Sequence, residues 1–191
     1  INNAGFVLSG PFENSTEEQI RRQMEVNFFG CILMIKQLLP ALKAVPQSTI
    51  VNVSSLCGLM AFPMLSMYHA SKWALEGFSE SLWYELEPLG VRVKLIEPGG
   101  IKENNYSVNV ELVKEVSSDY EGLLNRVHHS EWFPSFTQPD EVAAAIYKAS
   151  TDPSNRLRYR IGNDCELLLN ERMDHMNGEQ YIQKIKERII S

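Results

Sequence analysis

The sequence predicts an α/β fold, a doubly wound Rossmann-like parallel sheet with helices on both faces. Two observations carry that prediction. STIVNVSS and VRVKLIEPGG are β-branched, nearly continuous apolar runs, the pattern of strands buried on both faces. Stretches of helical character alternate with these runs along the chain, which is the order that produces a parallel sheet covered on both sides.

The elements follow in order. INNAG (Ile1–Gly5) reads as the last residue of a strand and the turn after it, so residue 1 is not expected to be the true start of the fold. After Gly10 and Pro11, the TEEQ of Thr16–Gln19 is a capping box, in which side-chain oxygens satisfy free N–H groups at a helix start. That helix is expected to run to about Ala44, bending near Gly30 and Pro40. Ile50, Val51 and Val53 mark the next strand, and SMYHASKWALEGFSESLWYELEPLG is a long helix ended by Pro88 and Gly90. VRVKLIEPGG is a strand cut by Pro98 and two glycines. Residues 101–136 lack clear periodicity and read as loop and short helices. A helix starts near Thr137, with Pro139 and acidic residues in its first turn, then a short strand LRYRIG and an amphipathic helical tail. No repeat or low-complexity segment interrupts what reads as a single domain over 1–191.

Composition excludes several function classes. The chain has 191 residues, 44% hydrophobic and 22% charged, which is ordinary for one globular domain. A net charge of -6 without a Lys/Arg block argues against nucleic-acid binding and against a membrane-surface tail. Cys31, Cys57 and Cys165 are odd in number and far apart, which suits a reducing, cytoplasmic setting. FFGCILMIKQLLPAL is broken by Lys36 and Pro40 and reads as a buried helix rather than a membrane span. No signal peptide is seen.

In such sheets, ligands bind beyond the carboxyl ends of the strands. The loops after INNAG, NVSS and LIEPGG therefore converge on one crevice. Tyr68 and Lys72 stand four apart and share a helix face. A lysine cation beside the phenol favours the phenolate, so such a tyrosine can give or take a proton near neutral pH. Ser55, at a strand end, could hold a substrate oxygen beside that phenol. A carbonyl held by the two hydroxyls is polarised for hydride attack, and the hydride must come from a cofactor. The pair alone is also what an ordinary surface contact looks like. Ser55 upstream and the small residues Ala70 and Ser71 between the pair raise it above that.

Four stretches in order (NNAG at Asn2–Gly5, Asn27 in MEVNFFG, Ser55 with Tyr68 and Lys72 in NVSS…YHASK, and PGGI at Pro98–Ile101) make the chain resemble the short-chain dehydrogenases/reductases over nearly its whole length. The resemblance implies roles. Tyr68 would be the catalytic acid/base. Lys72 would lower its pKa and, with Tyr68, bind the nicotinamide ribose. Ser55 would orient the substrate oxygen. Asn27 would hold a water linking Lys72 to solvent; on its own it would read as a helix-kink residue. Asn3, Ala4 and Gly5 would pack by the adenosine half of NAD or NADP. Pro98, Gly99 and Ile101 would lie beside the nicotinamide, with the Ile101 backbone on the carboxamide. The implied substrate is a small alcohol or carbonyl compound, and the implied assembly a homodimer or homotetramer through the long helices. Members of the steroid- and retinol-dehydrogenase type look the more similar.

Two departures stand out. Glu103 takes the place where the family usually has a cofactor-holding Thr, and a carboxylate there would repel a pyrophosphate. The chain also has no Gly-rich phosphate loop, so the segment that would carry it, and the residue that selects NAD or NADP, is not in these residues. The isolated chain is therefore expected to be inactive, and a non-catalytic dimerisation or scaffold fragment is the alternative function. His69 lies on a different helix face from Tyr68. His128 and His129 lack partners at metal-ligand spacing, and no metal is expected. Trp73, Phe78 and Trp83 read as core or interface. Trp132, Phe133 and Phe136 fall in the stretch 101–136, where the resemblance implies a substrate lid, and an apolar lid would suit a lipophilic substrate.

Overall fold

The central strands form because their residues alternate between two apolar layers. A computed structural model describes residues 1–102, 109–129, 135–173, 182–183 and 186–187. β1 is Val7–Ser9, β2 Thr49–Val53, β3 Arg92–Pro98, β4 Val110–Leu112 and β5 Arg158–Ile161. β2, β3 and β5 form a parallel sheet in that order, with Ile50 opposite Val93 and Leu95 opposite Arg158. Asn2 extends this sheet beyond β2. Its N–H donates to Val51 O at 2.8 Å, and its carbonyl accepts from Val53 N–H at 2.9 Å. INNAG is thus a strand end running into a turn.

The helices are α1 (Glu17–Met24), α2 (Gly30–Ala44), α3 (Ser66–Leu86), α4 (Ser118–His129), α5 (Pro139–Thr151) and α6 (Asn163–Met173). On one face of the sheet, Ile50 and Val93 pack with Cys31 and Ile35 of α2 and Leu75, Leu82 and Leu86 of α3. On the other, Val51, Ile96 and Tyr159 pack with Ala149 of α5. Phe78 and Trp83 border the first core, whereas Trp73 is 45% exposed, with the Arg172 guanidinium 5.3 Å from its ring. A third core caps the carboxyl ends of the strands. There Leu56, Met60 and Phe62 meet Val127 of α4 and Leu168 and Leu169 of α6.

The Thr16 capping box forms as the sequence predicts, with Gln19 N–H on Thr16 Oγ1 and Thr16 N–H on Gln19 Oε1. The helix does run to Ala44, and its irregularity lies immediately before Gly30. Glu25–Phe29 is a wide π turn, in which Gly30 N–H reaches back to Glu25 O, and Pro40 sits inside α2. Two expectations are corrected. The 101–136 stretch contains a strand, because β4 pairs in parallel with β1, Val7 opposite Val110, in a second small sheet. The apolar helix is also less buried than its composition suggests. Glu17–Ala44 is 28 residues long, enough by length and composition to cross a membrane. Here Cys31 and Ile35 pack onto the sheet, while Leu33, Met34 and Leu38 are about half exposed.

Candidate active site

Ser55 lies where β2 gives out. Ser54 N–H still donates to Ile96 O at 2.8 Å, continuing the ladder to β3. The chain then turns. Ser55 Oγ accepts from Cys57 N–H at 3.1 Å and so starts the short helical turn Leu56–Gly58. That bond uses an oxygen lone pair, and the hydroxyl proton remains free to be donated elsewhere. Ser55 is only half-buried.

Tyr68 and Lys72 come from the first two turns of α3. Lys72 is 7% exposed, and its Nζ donates to Val53 O at 2.9 Å. That bond ties the helix to the end of β2, two residues before Ser55. Nζ lies 5.9 Å from the Tyr68 ring centroid, over the ring. Burial draws Lys72 down to about 8, while the Cys57 and Cys31 sulfurs and the Glu76 carboxyl act in the opposite sense. The ammonium expected to tune Tyr68 is therefore itself poised to titrate. Tyr68 is half-buried and packs against the third core, whose border it shares with Leu59, Leu65, Tyr120, Leu123 and Leu124.

Asn27 sits in the π turn and is 2% exposed. Its Oδ1 accepts from Phe6 N–H at 3.0 Å; its Nδ2 donates to Phe6 O at 2.9 Å and to Ser71 Oγ at 3.2 Å. Ser71 Oγ in turn donates to Tyr68 O at 2.7 Å. These bonds make Asn27 a clamp between Phe6, just after INNAG, and α3.

The expected cofactor residues fall at the same end of the sheet. Asn3 and Ala4 are exposed, and Gly5 packs so that a Cβ there would come 3.3 Å from Asn27 Oδ1. Pro98 closes β3, and Gly99 N–H donates to Ile161 O at 2.9 Å. Thr137 N–H donates to Gly100 O, and Lys102 N–H donates to Thr137 O. In an extended segment this turns the N–H and C=O of the intervening Ile101 the opposite way, as a ligand contact requires. Ile101 is 40% exposed. Glu103, Trp132 and Phe133 lie outside the described residues, and Phe136 is exposed.

Three contributors escaped the sequence. Gln23, fully buried, accepts from Leu8 N–H at 2.7 Å and donates to Phe6 O at 3.0 Å, one turn before Asn27 does the same work. The signal was two amides four apart on the inward face of an apolar helix. His69 accepts from Phe62 N–H at 2.9 Å on Nε2 and contacts Cys57 O at 2.9 Å through Nδ1. A neutral ring with its proton on Nδ1 satisfies both bonds, and burial lowers its pKa accordingly. Asp164, fully buried in the first turn of α6, accepts from Gly100 N–H at 2.5 Å. A Cβ at Gly99 would collide with that carboxylate, which is why the loop needs glycine there. A cavity of about 190 Å³ lies elsewhere, at the amino ends of the strands beside Trp83 and Arg92.

Comparison with known proteins agrees with this architecture. Residues 1–111 match the family model described as short chain dehydrogenase. The chain is 43% identical over 176 residues to a 3-ketodihydrosphingosine reductase of Bacteroides thetaiotaomicron, covering 88% of this chain and 64% of that one. A crystal structure of a short-chain dehydrogenase from Streptomyces avermitilis superimposes with a TM-score of 0.79 at 30% identity, over 100% of this chain and 70% of that one. One from Burkholderia cenocepacia, in complex with NADP, gives 0.71 at 26% identity, covering 100% of this chain and 69% of that one. The chain thus spans about two-thirds of the length of these proteins. With its parallel sheet, its strand-end serine and its Tyr68–Lys72 helix, it belongs to the short-chain dehydrogenase family.

Proposed function

We propose that the chain is the catalytic part of an NAD(P)-dependent oxidoreductase that interconverts an alcohol and a ketone or aldehyde. The observation that carries this is the Lys72–Val53 bond, which fixes Tyr68 and Lys72 against the strand end that leads to Ser55. Ser55 donates its hydroxyl proton to the substrate oxygen and orients it. Tyr68 gives that oxygen a proton in reduction and takes it back in oxidation. Lys72 supplies the charge that makes the exchange possible near neutral pH. The residues fit a nicotinamide cofactor: the outward Ile101 backbone suits a carboxamide, and Lys72 has hydrogen-bonding capacity left for ribose hydroxyls. Bound there, the nicotinamide would supply or accept the hydride. Asn3, Ala4, Gly5, Pro98 and Gly99 would line the rest of that site.

The apolar core that Tyr68 borders supports a lipophilic substrate, as does the name of the Bacteroides relative. The test is Tyr68→Phe in the protein carrying its natural upstream sequence. Turnover with NADH or NADPH should fall by about 10²–10⁴-fold, the usual contribution of an acid–base group. Near-normal turnover in the variant sinks the role given to Tyr68. Failure of both this chain and the longer protein to bind either dinucleotide sinks the oxidoreductase itself.

The exposed Leu33, Met34 and Leu38 on α2 support pairing with a second copy of the chain. Sedimentation should then show a dimer or tetramer that dissociates in Leu33→Glu/Leu38→Glu. A monomeric parent overturns the pairing.

A further inference from the structure

Three segments of the site meet at two buried carboxyl groups that the reaction above leaves without a task. Glu97 lies one residue before Pro98, on the α3 side of β3, and is fully buried. Glu76 is one turn beyond Lys72 on α3 and 5% exposed. Arg158 and Arg160 of β5 face them. Arg158 Nε stands 3.1 Å from Glu97 Oε1 and 3.4 Å from Glu76 Oε2, and Arg160 Nε 3.6 Å from Glu97 Oε2. Both cations are shared further, Arg158 with Glu80 and Arg160 with Glu166. Lys72 approaches from α3. From α6, Cys165 places its Sγ 3.4 Å from Glu97 O and faces Asp164 as well.

The hydrogen bonding does not balance if both glutamates are ionised. Among the described residues, neither Glu97 oxygen nor Glu76 Oε1 receives a hydrogen bond from a protein donor. Two carboxylates side by side in a dry site also repel one another. A single shared proton removes the repulsion and pairs two of these three oxygens, because the O–H of one carboxyl can then donate to the other, and the Ser54 hydroxyl beside Glu76 is a further donor. Burial raises both groups above the ordinary carboxylate range, and the neighbouring Glu76 raises Glu97 further.

The pair touches what the reaction needs held still. A Cβ at Gly58 would come 2.8 Å from both Glu76 Cγ and Ser54 Oγ, so the turn that begins at Ser55 packs directly on Glu76. Glu97 anchors the strand end that becomes the Pro98–Ile101 loop.

We propose that Glu76 and Glu97 form a proton-sharing positioning pair that holds the Ser55 turn and the Pro98 loop in place against the Tyr68 helix. Its catalytic consequence rests on the oxidoreductase assignment; the pair itself can be tested without it. Loss of the shared proton leaves two like charges and loosens the Ser55 turn as pH rises.

Urea unfolding from about pH 5.5 to about pH 8.5 gives the first readout. A carboxyl whose folded pKa is raised contributes stability that is full below its unfolded pKa and lost as pH rises through the folded one. The pair should therefore pull the parent midpoint down as pH rises, against the opposite contributions of His69 and Lys72 at the two ends of this range, and the difference between parent and variant isolates it. Glu97→Gln and Glu76→Gln, in which an amide N–H permanently replaces the shared proton, should each lessen that fall. If the variants that fold keep the parental slope, the shared proton is refuted. Amide exchange at Ser55–Gly58, corrected for its intrinsic pH dependence, gives the second. Protection should drop at the alkaline end in the parent but not in Glu97→Gln, and pH-independent protection in the parent overturns the positioning role. Should both results come out as expected while no NAD(P)H turnover is found, the pair stands and the oxidoreductase assignment falls.

Discussion

Among the described residues two lysines are buried, and they are buried to different ends. Lys94, fully buried on β3, donates to Ser154 O at 2.5 Å, Arg156 O at 3.0 Å and the Tyr159 hydroxyl at 3.2 Å. An ammonium has three N–H donors, so this one is saturated. Lys72 makes one such bond among the described residues, to Val53 O, at the end of the sheet where the strand-end loops gather. Burial lowers the pKa of both. The difference lies in the remaining donors: a satisfied buried cation holds the chain together, and one with capacity left is a place for a ligand.

The sharpest way to break this comparison is to exchange the consequences. Lys72→Met should cost turnover about 10²-fold or more in the active protein, with a small change in melting temperature. It should also remove a pH signature. Burial lowers Lys72 from 10.5 to about 8, so the folded state holds fewer protons than the unfolded between those values. Stability carried by this lysine is present above the higher value and lost as pH falls through about 8, and the variant should lack that loss. Lys94→Met should do the reverse. Leaving the Ser154 and Arg156 carbonyls without their donor should cost about 1–3 kcal/mol in urea unfolding, with kcat largely intact. A Lys94 variant that loses turnover at unchanged stability ends the distinction.

His69 gives a smaller effect and sharpens the same lesson, since its ring is saturated like Lys94 although it adjoins Tyr68. Its pKa is lowered, so the stability it contributes is full above about pH 6.5 and lost as pH falls below that value. Urea midpoints should show this acid loss in the parent and not in His69→Gln. An identical acid limb in the variant would show that the latch on Phe62 does not titrate.

The sequence made the frame legible and left its fastenings hidden. STIVNVSS and VRVKLIEP announce parallel strands because their apolar residues serve two covered faces, and the structure pairs them residue for residue. Tyr68 and Lys72 were visible because four-residue spacing on a helix is local geometry. The clamp from Asp164 to Gly100 was not, since it joins residues 64 apart and Asp164 sits in no pattern. Lys94 and Glu97 were harder still: charged letters inside an apolar strand reveal nothing of Ser154 and Tyr159, which accept from the one, or of Arg158, which pairs with the other from a distant strand. β4 was missed because three residues are too few for a period, and it exists only by pairing with β1.

The π turn at Glu25–Phe29 works as a phase corrector. Gln23, Asn27, Cys31 and Ile35 recur every fourth residue, and all are buried. In a regular helix each four-residue step overshoots a full rotation by about 40°, so a stripe of this period winds away from the sheet. The wider turn absorbs that overshoot midway. It lets one helix hold the Phe6 and Leu8 backbone with its amides at one end and fill the core with Cys31 and Ile35 at the other. A one-residue deletion within Glu25–Phe29 would leave every side chain chemically intact and still rotate the two halves out of step.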